Sequence, residues 1–439
     1  MTPIVVKEHD RISSQSFPTL ELKEKENYFF PLKNGKNEYD GHSFFEYNIS
    51  EKCFYASFNI GAQHILNTDL VITPKFENID FLKMYDQCIK SGIESDSFSK
   101  IYNIDLSSPR IKTDAFSSNV LTPLIIVHYL SVLKDITIKG LKKGYVIREE
   151  NIHKLKGRLE ILPNDRKNVQ IKRFDKFYCT YQEYSENIPE NQILKRALLF
   201  SKQVILRIEG HVAYTELLNQ LNQTLSYFSN VDEEIQIFAI KNIKINKLYK
   251  DYANAISLAK LILQCYDFNI TNIEKENYKQ SVPPFWVDMS LLYEHYVLGV
   301  LKEKYGEQIK YQVSGHSGIA DFICLKDKLI LDTKYKDSDE KSFEWDNVQQ
   351  LSGYGRDEKI RNLLKVQENE CIKCILIYPE KEKINEEDNK ALATIPEFNL
   401  KTSLAEIIQN ADMQPKSPAK SRFYKDFYRI CVELPYREN

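Results

Sequence analysis

Residues 329–336 read LILDTKYK. Leu329, Leu331, Thr333 and Tyr335 alternate with Ile330, Asp332, Lys334 and Lys336. In an extended strand a period of two puts each set on one face, so Asp332 and Lys334 project together. Upstream, residues 320–325 (ADFICL) predict a second strand, and Lys326, Asp327 and Lys328 supply a turn. With a two-residue loop at Asp327 and Lys328, Lys326 pairs with Leu329 and Asp321 pairs with Lys334. Asp321 then stands on the face of Asp332 and Lys334. A three-residue loop would misplace it unless a bulge restored the register.

Two carboxylates and one ammonium on one sheet face suit phosphodiester hydrolysis. Carboxylates hold hard divalent cations, usually Mg2+, through oxygen. Such an ion stabilises charge on the scissile phosphate and lowers the pKa of a bound water. In this scheme Asp321 and Asp332 are metal ligands and the carbonyl of Thr333 is a further one. Lys334 orients the water or offsets developing negative charge. An acid-x-Lys triplet alone says little in a chain with 62 acidic and 60 basic residues, and the same pattern suits an exposed hairpin with an ordinary ion pair. Two flanking features favour the catalytic reading. Gln350 and Tyr354, four residues apart, fall on one face of the next helical stretch. Glu294, on the helix before the first strand, is a third acid that can reach the metal.

The surrounding pattern predicts a multidomain α+β chain. Residues 1–115 carry short strand candidates at 53–59 and 70–73, then a helical spacing over 79–89, and read as a mixed β-rich, partner-docking region. Residues 116–282 read as mainly helical, with stretches at 192–208, 214–228 and 253–266. One apolar stripe runs through Leu121, Ile125, His128 or Tyr129, Val132 and Ile136. Inside this region, residues 144–180 suggest short strands and turns with a basic cluster that includes Lys156, Arg158, Arg166, Lys167 and Arg173. It suits a solvated surface or a contact to DNA or a partner. Pro283 and Pro284 cannot continue a helix and suit a domain boundary. Residues 283–439 then read as α/β: a helix over 286–305, strands at 309–313, 320–325, 329–336 and 372–378, and a helical stretch over 344–365. The polar residues 380–390 suggest a surface loop or helix.

Composition narrows the classes further. The 439 residues suffice for two or three domains. A net charge of −2 leaves any DNA contact to local basic patches or to a partner. Eight Cys in a chain this long do not make a disulfide scaffold. Cys371 and Cys374 have metal-like spacing but no second pair follows, so buried thiols of a core strand are expected. His128 reads as a core residue. No secretory signal is visible at the N-terminus and the apolar runs, such as 124–133, fall short of a bilayer span, so a cytoplasmic protein without membrane contact is expected.

The order helix with Glu294, strand with Asp321, strand with Asp332-x-Lys334, helix with Gln350-x-x-x-Tyr354 resembles the PD-(D/E)xK nuclease superfamily. The string LILDTKYK is similar to that of McrC, the nuclease subunit of McrBC-type (5-methylcytosine-specific) restriction systems. Residues 71–89 (VITPKFENIDFLKMYDQCI), 140–161 (GLKKGYVIREENIHKLKGRLEI) and 187–198 (NIPENQILKRAL) resemble further segments of that family. Ala320 stands where the family pattern has proline. The resemblance implies a C-terminal PD-(D/E)xK domain that cuts double-stranded modified DNA with Mg2+. It also implies a partner, an McrB-like AAA+ GTPase that binds the GTP and is stimulated by this subunit. No Gly-x-x-x-x-Gly-Lys-Ser/Thr loop occurs here, so GTP is expected on the partner. A non-cutting activator with a vestigial nuclease fold is the alternative; a stand-alone repair nuclease fits less well, given the helical middle and the family-like upstream segments.

Overall fold

The computed structural model describes residues 3–13, 29–31, 43–48, 53–65, 68–90, 100–105, 108–112, 115–208, 215–233, 250–265, 281–316, 318–336, 345–367, 369–380, 395–414, 417–421 and 424–436. The expected polar segment at 380–390 lies, beyond Glu380, outside the described residues. The chain forms two compact units. One comprises Met1–Leu124 and Lys279–Asn439, the other Ile125–Tyr278. The architecture is mixed α/β with several sheets.

The first unit begins with β1 (Ile4–Lys7), β2 (Asn59–Ile65), β3 (Thr68–Thr73), α1 (Phe81–Lys90) and β4 (Tyr102–Ile104). A separate four-stranded sheet contains Arg11–Ser13, Cys53–Ala56, Ser43–Asn48 and Phe29–Pro31. The expected strand at 53–59 is thus split between two sheets. Helix α2 (Ala115–Lys139) follows, and the division between the two units falls within it, after Leu124. Its segment Val120–Lys139 is long and apolar enough to cross a membrane, which corrects the expectation from the shorter uninterrupted runs. It is 78% buried inside the protein, as a core helix is. His128 is buried within it.

In the second unit, β5 (Gly144–Ile152), β6 (Arg158–Leu159) and β7 (Phe177–Ser185) precede α3 (Pro189–Ile208), α4 (Thr215–Tyr227) and α5 (Lys250–Cys265). The strands of 144–180 are longer than expected, because β5 and β7 pair antiparallel over nine residues from Gly144↔Ser185 to Ile152↔Phe177. The helical part is tied by Asn191, whose side chain donates to the carbonyls of Lys142 at 2.9 Å and Glu186 at 2.7 Å.

The chain returns to the first unit with β8 (Phe285–Asp288), directly after Pro283 and Pro284. A helix was expected from 286; instead Phe285, Trp286 and Val287 are extended. The aromatic and β-branched run favours a pleated strand. β8 pairs antiparallel with both β2 and β4, completing the sheet order β1-β3-β2-β8-β4. Gly61 permits this approach: its φ is +145°, and a Cβ there would lie 2.2 Å from the Phe285 carbonyl oxygen. Asp288 then caps α6 (Met289–Tyr305), accepting from the Leu291 N–H at 2.9 Å.

The remainder is a five-stranded sheet with β9 (Ile309–Ser314), β10 (Ile319–Cys324), β11 (Leu329–Thr333), β12 (Lys373–Glu380) and β13 (Phe427–Glu433) in sequential order. β9 to β11 form an antiparallel meander; β11, β12 and β13 run parallel. The parallel step needs a crossover, supplied by α7 (Trp345–Arg356) and α8 (Glu358–Leu364). The single helix expected over 344–365 breaks at Asp357, which leaves helical geometry and caps α8 by accepting from the Lys359 N–H at 3.0 Å. Val348, Leu351 and Tyr354 of α7 share one core with Ile330 of β11 and Leu376 of β12. Helix α9 (Leu404–Met413) and β13, which the pattern had not suggested, close the sheet's far side. Cys374 is buried in β12 as expected, whereas Cys371 precedes the strand and is exposed.

Candidate active site

The turn between β10 and β11 spans residues 325–328, four residues rather than two, with Lys328 at φ +54°. Phe322 pairs with Leu331 and Ile323 with Ile330. Continued one step, that register sets Asp321 opposite Asp332, not Lys334. The slip is two residues, a full pleat period, so Asp321 stays on the expected face.

Asp332 is 1% exposed at the C-terminal end of β11. Lys334 Nζ lies 2.7 Å from its Oδ2, but neither carboxylate oxygen has an aligned hydrogen-bond donor. Burial, and then the charge of Asp321, push the Asp332 carboxyl up to about 7, against the pull of Lys334. Asp321 Oδ2 accepts the Thr333 N–H at 2.9 Å and the Thr333 hydroxyl at 3.1 Å. Lys334 Nζ also reaches Gln350 Oε1 at 3.4 Å, and Gln350 Nε2 donates to the Tyr354 hydroxyl at 3.1 Å. A chain of contacts therefore runs from Tyr354 through Gln350 and Lys334 to Asp332. Gly318 packs against it: a Cβ there would sit 3.1 Å from Tyr354 Cε1.

Glu294, half-buried on α6, faces the same acids. Burial and the charge of Asp321 raise its carboxyl to about 7, opposed by hydrogen bonds from Tyr311 and Gln312, while Asp332 adds to the rise. The structure thus brings all seven expected residues around one end of the β10–β11 hairpin. Tyr311 and Gln312 were not anticipated. Gln312 sits at φ +47° where β9 skips a pair with β10, and its Nε2 donates to the Tyr311 hydroxyl at 2.9 Å. Nothing in the one-dimensional pattern signals such a kink; it belongs to the bulge-like irregularities that re-aim side chains beside functional sites.

The donor set fits a hard divalent cation. The two Asp332 oxygens, buried beside the charge of Asp321 and without aligned donors, are what a cation would satisfy. Among the described residues no group of three His, Cys, Asp or Glu side chains is arranged to hold a metal ion, so Glu294 does not complete a ligand set with Asp321 and Asp332.

The chain matches the family model of the McrBC 5-methylcytosine restriction system component over residues 59–379. No curated protein matches it in sequence. Among solved structures it is similar to the Thermococcus gammatolerans assembly of McrB AAA+ hexamers with bound McrC, at 15% identity and a TM-score of 0.37, covering 99% of this chain and 95% of that one. The cryo-EM structure of the McrBC complex of the same organism matches at 16% identity and a TM-score of 0.31, over 70% of this chain and 89% of that one. The family model spans most of the chain and establishes kinship. The chain belongs to the McrBC 5-methylcytosine restriction system component family.

Proposed function

We propose that this chain is the McrC-like, DNA-cutting subunit of its restriction system: a PD-(D/E)xK endodeoxyribonuclease that hydrolyses phosphodiesters of modified double-stranded DNA in the cytoplasm. The observation that carries the reading is the convergence of Asp321, Asp332 and Lys334 at one sheet end, with Asp332 buried and unsatisfied. Asp321 and Asp332 would hold Mg2+, with the Thr333 carbonyl as a further oxygen. The ion, when bound, supplies Lewis acidity toward the scissile phosphate.

The chain's own residues do the rest. Lys334 places a positive charge beside Asp332, where it orients the attacking water and offsets charge on the phosphate oxygens. Gln350 holds the Lys334 ammonium from the other side, and Tyr354 fixes the Gln350 amide so that its oxygen faces Lys334. Thr333 keeps the Asp321 carboxylate turned toward β11. A scaffold without chemistry would gain nothing from burying Asp332 next to another acid.

The same reading gives the chain an McrB-like AAA+ partner that binds GTP and whose hydrolysis it stimulates. Candidate docking residues lie on the β5–β7 pair, where Tyr145, Ile147 and Tyr184 are exposed, and in the segment that joins the two strands, where Phe174, Lys156, Arg158 and Arg173 are exposed. Large exposed apolar side chains among polar ones mark interaction surfaces. The test is to combine the full chain with its cognate AAA+ protein, GTP, Mg2+ and methylated DNA. Cleavage that Asp332→Ala abolishes, with GTPase stimulation retained, is expected. Stimulated GTP hydrolysis with no cleavage by the unmutated chain would instead make it a non-cutting activator.

A further inference from the structure

A buried polar node lies where the sheet of β1, β2, β3, β4 and β8 meets the end of β11. Lys75, two residues past β3, donates from Nζ to the backbone carbonyl of Tyr335 at 2.6 Å, across 260 residues of sequence. The same ammonium sits 4.2 Å from the Tyr335 ring centroid and 5.4 Å from that of Phe76. Tyr335 is buried and packs against Phe76 at 5.6 Å and Tyr293 at 5.7 Å. Glu8, just after β1, is also buried, with neither carboxylate oxygen hydrogen-bonded. Burial pushes its carboxyl well above the usual carboxylate range, and the charge of Asp288 adds to the rise; the charge and the backbone N–H of Lys75 oppose it.

Tyr335 follows Lys334 directly, so its carbonyl is one peptide from the residue that contacts Asp332 and Gln350. Regular pairing of β11 ends at Thr333. Beyond it the Lys334 N–H donates to the Ile377 carbonyl at 2.9 Å and the Lys336 N–H to the Lys334 carbonyl at 2.8 Å. The Lys75 bond is an anchor at this point that comes from outside the sheet. A charge-assisted bond to a carbonyl, in surroundings of low dielectric, is among the stronger ones a protein makes. Where a side chain must be held within roughly half an ångström to act, such support is decisive.

We propose that Lys75 is a positioning residue for the cleavage reaction: it latches the Tyr335 carbonyl and thereby holds the Lys334 ammonium between Asp332 and Gln350. The inference rests on the nuclease reading above. It makes the N-terminal sheet a part of the active site's frame, so that a partner acting on that sheet can tune the cut.

The test uses the full chain. Lys75→Met removes the donor but strands Glu8 in the interior, so Glu8→Gln/Lys75→Met is the variant that separates loss of the latch from loss of the fold. Hydrogen exchange over residues 333–336 should rise about tenfold in that double variant, while β13 keeps its protection. In the complex with the AAA+ partner, kcat for DNA cleavage should fall about tenfold, with KM for DNA and stimulated GTP hydrolysis unchanged, and Lys75→Arg should recover part of the loss. Unchanged exchange at 333–336 overturns the latch whether or not the chain cuts DNA. Raised exchange with an unchanged kcat overturns the positioning role. If the unmutated chain makes no cut, the nuclease reading fails and the proposed role fails with it, while the exchange result still decides whether the latch exists.

Discussion

Thr333 binds Asp321 through two atoms at once, its backbone N–H at 2.9 Å and its hydroxyl at 3.1 Å, both to Oδ2. This contact joins β10 and β11 where their regular pairing stops, and it leaves the Oδ1 of Asp321 for other partners.

Asp332→Ala should abolish Mg2+-dependent cleavage by the complex with its AAA+ partner while the fold and partner binding persist. Gln350→Ala removes the second contact to the Lys334 ammonium and the hydrogen bond to Tyr354 but leaves Asp332 and Lys334 in place, so a loss of roughly tenfold is expected, as for other supporting partners of a reactive site. Single-turnover cleavage rates check both. Near-normal cutting by Asp332→Ala would mean that the active site lies elsewhere.

Stability should depend on pH through Asp332. Its carboxyl is raised from an ordinary carboxylate value to about 7 by burial and the charge of Asp321. The folded chain therefore binds more protons than the unfolded chain between about pH 4 and 7. With that sign, the stability present at low pH is lost as pH rises through that window. Asp332→Asn cannot ionise, so in the absence of divalent cations it should melt at a higher temperature than the unmutated chain at pH 8. At pH 4 the difference should shrink. Melting curves at both pH values check this; an equal or lower midpoint for Asp332→Asn at pH 8 would show that Asp332 is not an electrostatic burden. Added Mg2+ should reverse the order.

Gly318→Ala should impair cleavage more than its size suggests. Gly318 has φ +150°, and an added Cβ would press on the ring of Tyr354 at 3.1 to 3.2 Å. Backbone strain of this kind costs roughly 1–3 kcal/mol, and a shifted Tyr354 loosens Gln350. Tyr354→Phe alone should reproduce part of the loss in rate without the loss of stability. A Gly318→Ala variant with unchanged midpoint and rate would contradict both.

The isolated subunit should bind DNA weakly, with little sequence preference and steeply falling affinity as salt is raised. A net charge of −2 and a basic cluster confined to one region motivate this. Titrations at two salt concentrations suffice, and tight salt-insensitive binding to one methylated site would refute it.

The alternation of residues 329–336 identified the strand, the acid and the lysine, because period two acts locally and needs no knowledge of the rest of the fold. The face shared by Asp321 and Asp332 was legible for the same reason. Even the wrong loop length did no harm, since a shift of two residues preserves the face. Helices α1, α3, α4 and α5 were near their expected positions, as strongly amphipathic segments tend to be. The start of α6 was misplaced because the apolar run was read as helical, although its aromatic and β-branched residues favour a strand; pairing with β2 and β4 fixes the extension.

By itself, then, the sequence determined the local elements, the chemistry available to them and the family, since periodicity and residue type act over a few positions. Only the tertiary structure decided that Glu294 meets Asp321, that Gln312 is kinked beside it and that Lys75 grips the residue after Lys334. Those relationships join positions tens to hundreds of residues apart, and they arise from the packing of α6 and the N-terminal sheet around β11. No local pattern encodes a contact whose partner is chosen by how whole elements pack.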